Sequence, residues 1–169
     1  MRGRGLTQPW KTCAFTCCVV ALVLAFPVRA SADATAFIGV NTTPSNRTAK
    51  GFAIGITVLV VGIEFEYSNT GEDLPALAPS LTTFSGNALV QTPIPVAGIQ
   101  FYGTAGVGGY RERLDRRQET NVSANIGGGA KISLLGPIKL RLDYRLFTLK
   151  GSPLHDKVQR VYAGINLAF

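Results

Sequence analysis

The chain has 169 residues and a formal net charge of +7, from 17 Lys or Arg and 10 Asp or Glu residues. Four of the basic residues lie in the first thirty positions, so the rest of the chain is only mildly basic and nucleic-acid binding is disfavoured. The remaining 139 residues suit a single domain. They contain no run of about eighteen apolar residues, which excludes a helical membrane protein.

Residues 1–30 have the pattern of a secretory signal peptide. Three basic residues lie within the first eleven positions, and a fourteen-residue apolar run follows from Cys13 to Phe26. Small residues predict cleavage after Ala30, and a second candidate position lies after Ala34. All three cysteines belong to this segment, so the mature chain can form no disulfide and no cysteine metal site.

Eight segments of the mature chain alternate apolar and polar residues with the period of two that is typical of a β-strand. In chain order they span about residues 35–41, 48–56, 61–67, 80–91, 98–110, 121–134, 137–150 and 158–169. In the seventh, Ile138, Leu140 and Leu142 lie on one face, and Lys139 and Arg141 lie on the other. No segment with a helical period interrupts the strands, so the pattern predicts an all-β fold.

The connections between these segments alternate in length and polarity. Three are short, at residues 56–58, 92–96 and 135–137. Four are longer and mostly polar or charged, at residues 42–47, 69–79, 111–120 and 151–157. Short turns at one end and long polar loops at the other indicate an antiparallel up-and-down barrel of the outer-membrane kind, with both termini in the periplasm.

The two faces of the strands differ in charge, and one face carries three acidic and five basic residues. These are Glu64, Glu66, Lys131, Lys139, Arg141, Asp143, Arg145 and Arg160. In lipid each such charge would cost several kcal/mol at the midplane, whereas the interior of an eight-stranded barrel has room for side chains. We therefore expect a closed lumen, in which Arg141 and Arg145 reach Glu64 and Glu66 and in which Tyr102 and Tyr162 add bulk.

The opposite, apolar face is then expected to form a belt in contact with lipid. Its predicted outward residues include Ile63, Phe65, Ile138, Leu140, Leu142, Ile165 and Leu167. Aromatic rings favour the two edges of such a belt, at the level of the lipid headgroups. The aromatic residues expected there are Phe52, Tyr67, Phe84, Phe101 and Phe169.

The last strand ends on Phe169, and this strand together with Gly62-Ile-Glu-Phe-Glu-Tyr67 resembles the small outer-membrane β-barrel family. That family includes the transmembrane domain of outer membrane protein A and barrels of the outer membrane protein X kind. The resemblance covers the whole mature chain and implies a monomer in the bacterial outer membrane. It also implies that the terminal strand is the signal for the outer-membrane assembly machinery, through Tyr162, Ile165, Leu167 and Phe169.

Four arginines crowd the third polar loop, at positions 111, 113, 116 and 117, with three acidic residues between and beside them. Two interpretations stay open. Arg111, Arg113, Arg116 and Arg117 could contact lipopolysaccharide phosphates or an acidic partner through charge-assisted hydrogen bonds. Alternatively, the loop is solvated and its opposite charges screen one another.

Two constellations could suggest an enzyme. Ser152, His155 and Asp156 have the residue types of a hydrolytic triad, but all three lie in one short loop, where side chains seldom converge on triad geometry. Glu64 and Glu66 could be the paired carboxylates of a glycosidase, but they lie on a face that is rich in arginine. We therefore expect no catalytic, cofactor-binding or metal-binding residues.

Together these patterns predict an eight-stranded antiparallel transmembrane barrel over residues 31–169, preceded by the signal peptide 1–30. The expected function is non-enzymatic: a barrel with a closed polar lumen presents surface loops for envelope stability or adhesion. Its expected partners are outer-membrane lipid, lipopolysaccharide and, during biogenesis, the assembly machinery. The alternatives are a lipid-modifying barrel enzyme and a soluble, lipocalin-like ligand carrier.

Overall fold

A computed structural model of the chain describes residues 30–169, whose regular structure consists of eight β-strands. They are β1 (Ala30–Asn41), β2 (Arg47–Val58), β3 (Val61–Thr70), β4 (Ser80–Gln91), β5 (Ile99–Leu114), β6 (Arg117–Leu135), β7 (Ile138–Leu149) and β8 (Lys157–Ala168). Each strand pairs antiparallel with the next, and β1 pairs with β8 to close the sheet. The predicted all-β, eight-stranded up-and-down barrel is confirmed. Within residues 30–169, no helix has the length and apolar character to cross a membrane.

Closure of the barrel leaves no exposed sheet edge along the paired strands. Backbone hydrogen bonds join Ala32 and Phe169 in both directions, each with an N···O distance of 2.9 Å. The β1–β8 register then continues without a break to the pair Asn41 and Arg160. Because every strand has two neighbours, its backbone N–H and C=O groups are satisfied within the sheet, which a barrel in lipid requires.

The connections define two ends of the barrel. At the turn end lie the connections 59–60, 92–98 and 136–137, the start of β1 and the end of β8. At the loop end lie L1 (42–46), L2 (71–79), the turn 115–116 and L4 (150–156). The predicted alternation of short and long connections is met only in part, because the turn-end connection 92–98 is as long as L4 and longer than L1, and the third outer connection is a two-residue turn.

The third outer connection is not the long loop that the sequence predicted at residues 111–120. Strands β5 and β6 continue past that boundary to Leu114 and Arg117 and leave a two-residue turn. This extended hairpin is polar because it projects beyond the apolar belt, and its partners are the neighbouring loops. The Glu112 and Glu119 carboxylates accept backbone N–H groups of L4 at 2.9 and 3.2 Å.

The outer face of the barrel is an apolar belt, as the alternation predicted. Six of the seven residues expected in contact with lipid are exposed: Ile63, Phe65, Ile138, Leu142, Ile165 and Leu167. Leu140 is half-buried because it lies between Ile132 and Ile165 on the neighbouring strands. Exposed apolar surface of this extent is not normal on a soluble monomer, since such patches rarely exceed a few hundred Å².

Exposed aromatic residues lie toward both ends of the belt. Phe52, Tyr67 and Phe84 pair in register across β2, β3 and β4 in the half nearer the loop end. Phe101 lies near the start of β5, and Phe169 follows β8, so both are near the turn end. This distribution matches the expected placement of these five rings.

The first strand begins at Ala30, five residues before the start that the sequence predicted. The rest of the predicted signal peptide, residues 1–29, lies outside the described residues. Cleavage after Ala30 would keep Ala32, which pairs with Phe169, and Asp33, which pairs with Lys131. Cleavage after Ala34 would remove both partners.

Candidate functional site

The inward positions of three strands carry most of the buried charge. Strand β3 contributes Glu64 and Glu66, β7 contributes Arg141, Asp143 and Arg145, and β8 contributes Arg160. These six side chains alternate with outward apolar residues, and all are buried in the lumen. Strand β3 lies across the barrel from β7, so the charges meet near the barrel axis.

The six residues form one neutral cluster of three guanidinium and three carboxylate groups, called here the lumen cluster. Arg141 binds Glu64 through Nη1 and, at 3.2 Å, through Nη2. Arg145 Nη2 donates to Glu64 at 2.8 Å, and its Nη1 lies 3.0 Å from Glu66. Asp143 accepts from Arg145 Nε at 3.1 Å and from Arg141 Nη2 at 3.2 Å. Buried ions persist when paired and hydrogen-bonded in this way.

Arg160 completes the lumen cluster on the side of the loop end. Its guanidinium binds the Glu66 carboxylate and the Ser68 hydroxyl. The guanidinium carbon also lies 4.8 Å from the Phe147 ring centroid and 5.3 Å from that of Phe37. Cation–π contacts of this kind gain strength where the cation is desolvated.

Two tyrosines add hydrogen bonds to the lumen cluster, Tyr102 from β5 and Tyr162 from β8. The Tyr102 hydroxyl donates to Asp143 and accepts from Arg141 Nε at 2.8 Å. The Tyr162 hydroxyl donates to Asp143 at 3.1 Å. Tyr102 fits because β6 carries Gly129 beside it: a Cβ atom at Gly129 would lie 2.6 Å from the Tyr102 hydroxyl.

A second buried ion pair lies toward the turn end, between Lys131 Nζ and Asp33 at 2.5 Å. Asp33 is not among the residues predicted for the lumen, because the first strand was expected to begin at residue 35. The alternation of Asp33, Thr35 and Phe37 was the available signal. Lys139 lies on the inward side of β7 but is half-exposed and forms no ion pair within residues 30–169.

An apolar layer, which the strand pattern did not predict, lies between the lumen cluster and the loops. It consists of the inward, buried residues Leu81, Tyr110, Phe147, Leu149 and Val158. The Tyr110 hydroxyl donates to the Lys150 carbonyl at 2.6 Å. The lumen therefore has a charged middle and an apolar section next to the loop end, rather than a uniformly polar interior.

The four arginines of the third hairpin do not form one cluster. Arg111 and Arg113 lie at outward positions of β5, and Arg116 lies exposed in the turn. Arg117 lies on the inward side, and its Nη2 donates to the Ser152 carbonyl at 2.6 Å.

Loops L1 and L2 are linked by Arg47 at the start of β2. Its guanidinium donates to the Thr43 carbonyl at 3.0 Å, to the Gly71 carbonyl at 3.3 Å and to the Pro79 carbonyl. Arg47 therefore holds both loops against the rim. Its role was not predicted from the sequence.

The terminal strand presents its expected assembly residues on two faces. Ile165, Leu167 and Phe169 are outward and exposed. Tyr162 is inward and buried, with its ring stacked on Phe37 at a centroid distance of 4.0 Å.

The two enzymatic interpretations concern Ser152, His155 and Asp156 in L4 and the pair Glu64 and Glu66 in the lumen. In the described part of the chain, no hydrogen bond joins His155 to Ser152 or Asp156. Glu64 and Glu66 are both held by arginines, so neither resembles an available acid or base. Among residues 30–169, no group of three or more His, Cys, Asp or Glu residues is placed to hold a metal ion.

Removal of the Tyr102 hydroxyl is expected to lower the stability of the barrel. Tyr102→Phe should lower the free energy of unfolding by about 1–3 kcal/mol, because a buried carboxylate and a buried guanidinium both lose a partner. Tyr144→Phe is the matched control, since that hydroxyl is exposed on the outer wall and contacts only Gln159, at 3.2 Å. Urea unfolding in lipid vesicles would compare them, and equal values for both variants would contradict the role of Tyr102.

No family model matches the chain, and neither does any curated protein sequence. Among solved structures, the chain is similar to the N-terminal β-barrel domain of OprF from Pseudomonas aeruginosa, at 18% identity and a TM-score of 0.62, over 84% of this chain and 99% of that one. It is similar to Ail, the attachment invasion locus protein of Yersinia pestis, at 17% identity and a TM-score of 0.52, over 83% and 98%. It is also similar to the outer membrane enzyme PagL, at 12% identity and a TM-score of 0.51, over 80% and 98%.

These likenesses extend over nearly the whole length of the matched chains, and their low identities make them evidence of fold. The chain has the fold of the small outer-membrane β-barrels, and the resemblance inferred from its sequence is confirmed at that level. Ail and the enzyme PagL share this fold, so function has to be argued from the residues of this chain.

Proposed function

We propose that this protein is a non-enzymatic barrel of the bacterial outer membrane, with its termini in the periplasm and its loops at the cell surface. The observation that carries the proposal is the filled lumen. Arg141 and Arg145 are fully buried in a neutral cluster of ion pairs, and an apolar layer lies beyond them. Such a barrel can anchor and present loops, whereas transport would need a continuous water path.

The outer wall supports a membrane location. Its apolar belt carries aromatic residues toward both ends, as barrels in lipid do. Two of the similar structures, Ail and PagL, are described as outer membrane proteins. A soluble carrier of the lipocalin kind would instead direct its apolar face inward, around a ligand.

The loop end supports a role in contact or envelope stability. Arg47 links L1 to L2, the Glu72 carboxylate accepts the backbone N–H of Asp115 at 2.7 Å, and Arg117 links the β5–β6 hairpin to L4. Loops that are held together in this way form a pre-organised surface, which reduces the entropy lost on binding.

A lipid-modifying enzyme is the alternative, because PagL shows that this fold can carry an active site. The residues at the loop end do not support this alternative. The lone histidine, His155, lies in L4 without a hydrogen bond to a serine or an acidic residue within residues 30–169. Catalysis by a triad requires a nucleophile, a base and an orienting group in contact.

Cell fractionation and conductance together test the proposal. The protein should be recovered with the outer membrane, require detergent for extraction and migrate faster on a gel before boiling than after. In planar bilayers, the folded barrel should give no stable conductance steps, because its lumen is filled. Recovery in the soluble periplasm would overturn the membrane location, and large stable steps would replace the anchoring function by transport.

A further inference from the structure

Charged residues at outward strand positions are few, and all are basic. They are Lys50 on β2, Arg111 and Arg113 on β5, and Lys157 on β8. All four lie in the half of the strand that is nearer the loop end. Within residues 30–169, no acidic residue occupies an outward strand position, although ten acidic residues balance the thirteen basic ones over this range. The outer wall of the barrel therefore carries only positive charges, and these lie near the loop end.

The two arginines of β5 lie just beyond the aromatic edge of the belt. The Phe84 ring rests on Gly109, where an added Cβ atom would lie 2.4 Å from the ring. Arg111 is two residues further toward the loop end, which is about 7 Å along the strand and about 5 Å along the axis at a typical tilt. The polar layer of a bilayer adds about 5–7 Å on each side of the hydrocarbon core. Arg111 is therefore at headgroup depth when Phe84 is at the hydrocarbon edge.

A depression of about 350 Å³ begins in the wall at this depth and extends toward L2, lined in part by Asn69, Thr82, Arg111 and Arg113. The Asn69 amide donates to the Thr82 hydroxyl at 2.9 Å, and Arg111 Nη2 donates to Gln118 at 2.8 Å. These bonds fix the polar side chains and leave the other guanidinium N–H groups available. Glu72 also lines the depression, but its carboxylate accepts the backbone N–H of Asp115.

We propose that this depression binds the phosphorylated headgroup of a glycolipid in the outer leaflet, with Arg111 and Arg113 on the phosphate. The proposal rests on the outer-membrane function proposed above. Guanidinium groups match phosphate with paired, charge-assisted hydrogen bonds, and the amide and hydroxyl groups beside them suit a sugar. A membrane lipid is favoured over an acidic protein because the site begins on the side wall, just beyond the edge of the belt. A partner in water would meet the tip of the hairpin, at Arg116, first.

The test uses the full mature barrel, refolded in zwitterionic detergent and titrated with bis-phosphorylated lipid A, with binding followed by native mass spectrometry. Dephosphorylated lipid A and inorganic phosphate are the comparison ligands. The variant is Arg111→Gln/Arg113→Gln, and the matched control is Arg116→Gln/Lys150→Gln. The control removes the same charge from exposed positions in the hairpin turn and L4. A gel shift on boiling verifies that each variant is folded.

The wild type should bind bis-phosphorylated lipid A on the order of tenfold more tightly than the dephosphorylated form, and the β5 variant should lose a similar factor. The control should stay within about twofold of the wild type. Equal losses in both variants would overturn the site and point to the loop tips as a partner surface. Full competition by millimolar phosphate would overturn the lipid assignment. Neither result would contradict the proposed function, provided that the protein folds and fractionates with the outer membrane.

Discussion

Replacing Glu64 by alanine is expected to lower the free energy of unfolding by about 3–5 kcal/mol, the usual cost of breaking a buried ion pair. Glu64 is the carboxylate that Arg141 and Arg145 share, and both guanidinium groups are fully buried. Without it the lumen cluster changes from three cations and three anions to three cations and two anions. The excess charge has no access to water, so its desolvation is left uncompensated.

The measurement is urea unfolding of the barrel in lipid vesicles, followed by circular dichroism and by the gel shift on boiling. Asp156→Ala is the control, because it removes an exposed carboxylate from L4 and should change stability by less than about 0.5 kcal/mol. A Glu64→Ala barrel as stable as the control would mean that water enters the lumen and solvates the arginines. That result would also weaken the filled-lumen argument for function.

The strand pattern was readable from the sequence because a barrel wall imposes one rule on every strand. Leu142 faces outward and Asp143 faces inward for the same reason, so alternation assigns their environment without knowledge of their partners. Counting eight strands then places β3 opposite β7, which makes contact between Glu64 and Arg145 foreseeable.

The other features of the site could not be predicted, because the alternation of apolar and polar residues does not determine them. The β5–β6 hairpin looks like a loop in sequence because both of its faces meet polar surroundings, so Arg111 and Arg117 could not be assigned to opposite faces. Inward apolar residues such as Phe147 and Leu149 follow Arg145 on the same face, and only the register of the strands shows that they form a layer with Leu81 and Val158. Residue identity alone does not give depth along the barrel axis.

Replacing Leu142 by arginine is expected to impair insertion by about 2–4 kcal/mol, the cost of a basic residue on the lipid face near the bilayer midplane. Leu142 is outward and 43% exposed. On β7 it is the middle one of five outward apolar residues, from Ile138 to Leu146, so it is placed near the centre of the belt. Both of its neighbours across the ladder, Ala130 and Ala163, are small and uncharged, so the wall offers the new charge no partner.

The control is Leu74→Arg, which puts the same charge on an exposed leucine of L2 and should leave insertion unchanged. The folded fraction of each variant, read from the gel shift on boiling after dilution into vesicles, gives the comparison. Thinner bilayers should lessen the defect of Leu142→Arg, because a long side chain then reaches the headgroups more readily. If Leu142→Arg inserted as well as Leu74→Arg in bilayers of ordinary thickness, the apolar wall would not face lipid, and the membrane location would have to be abandoned.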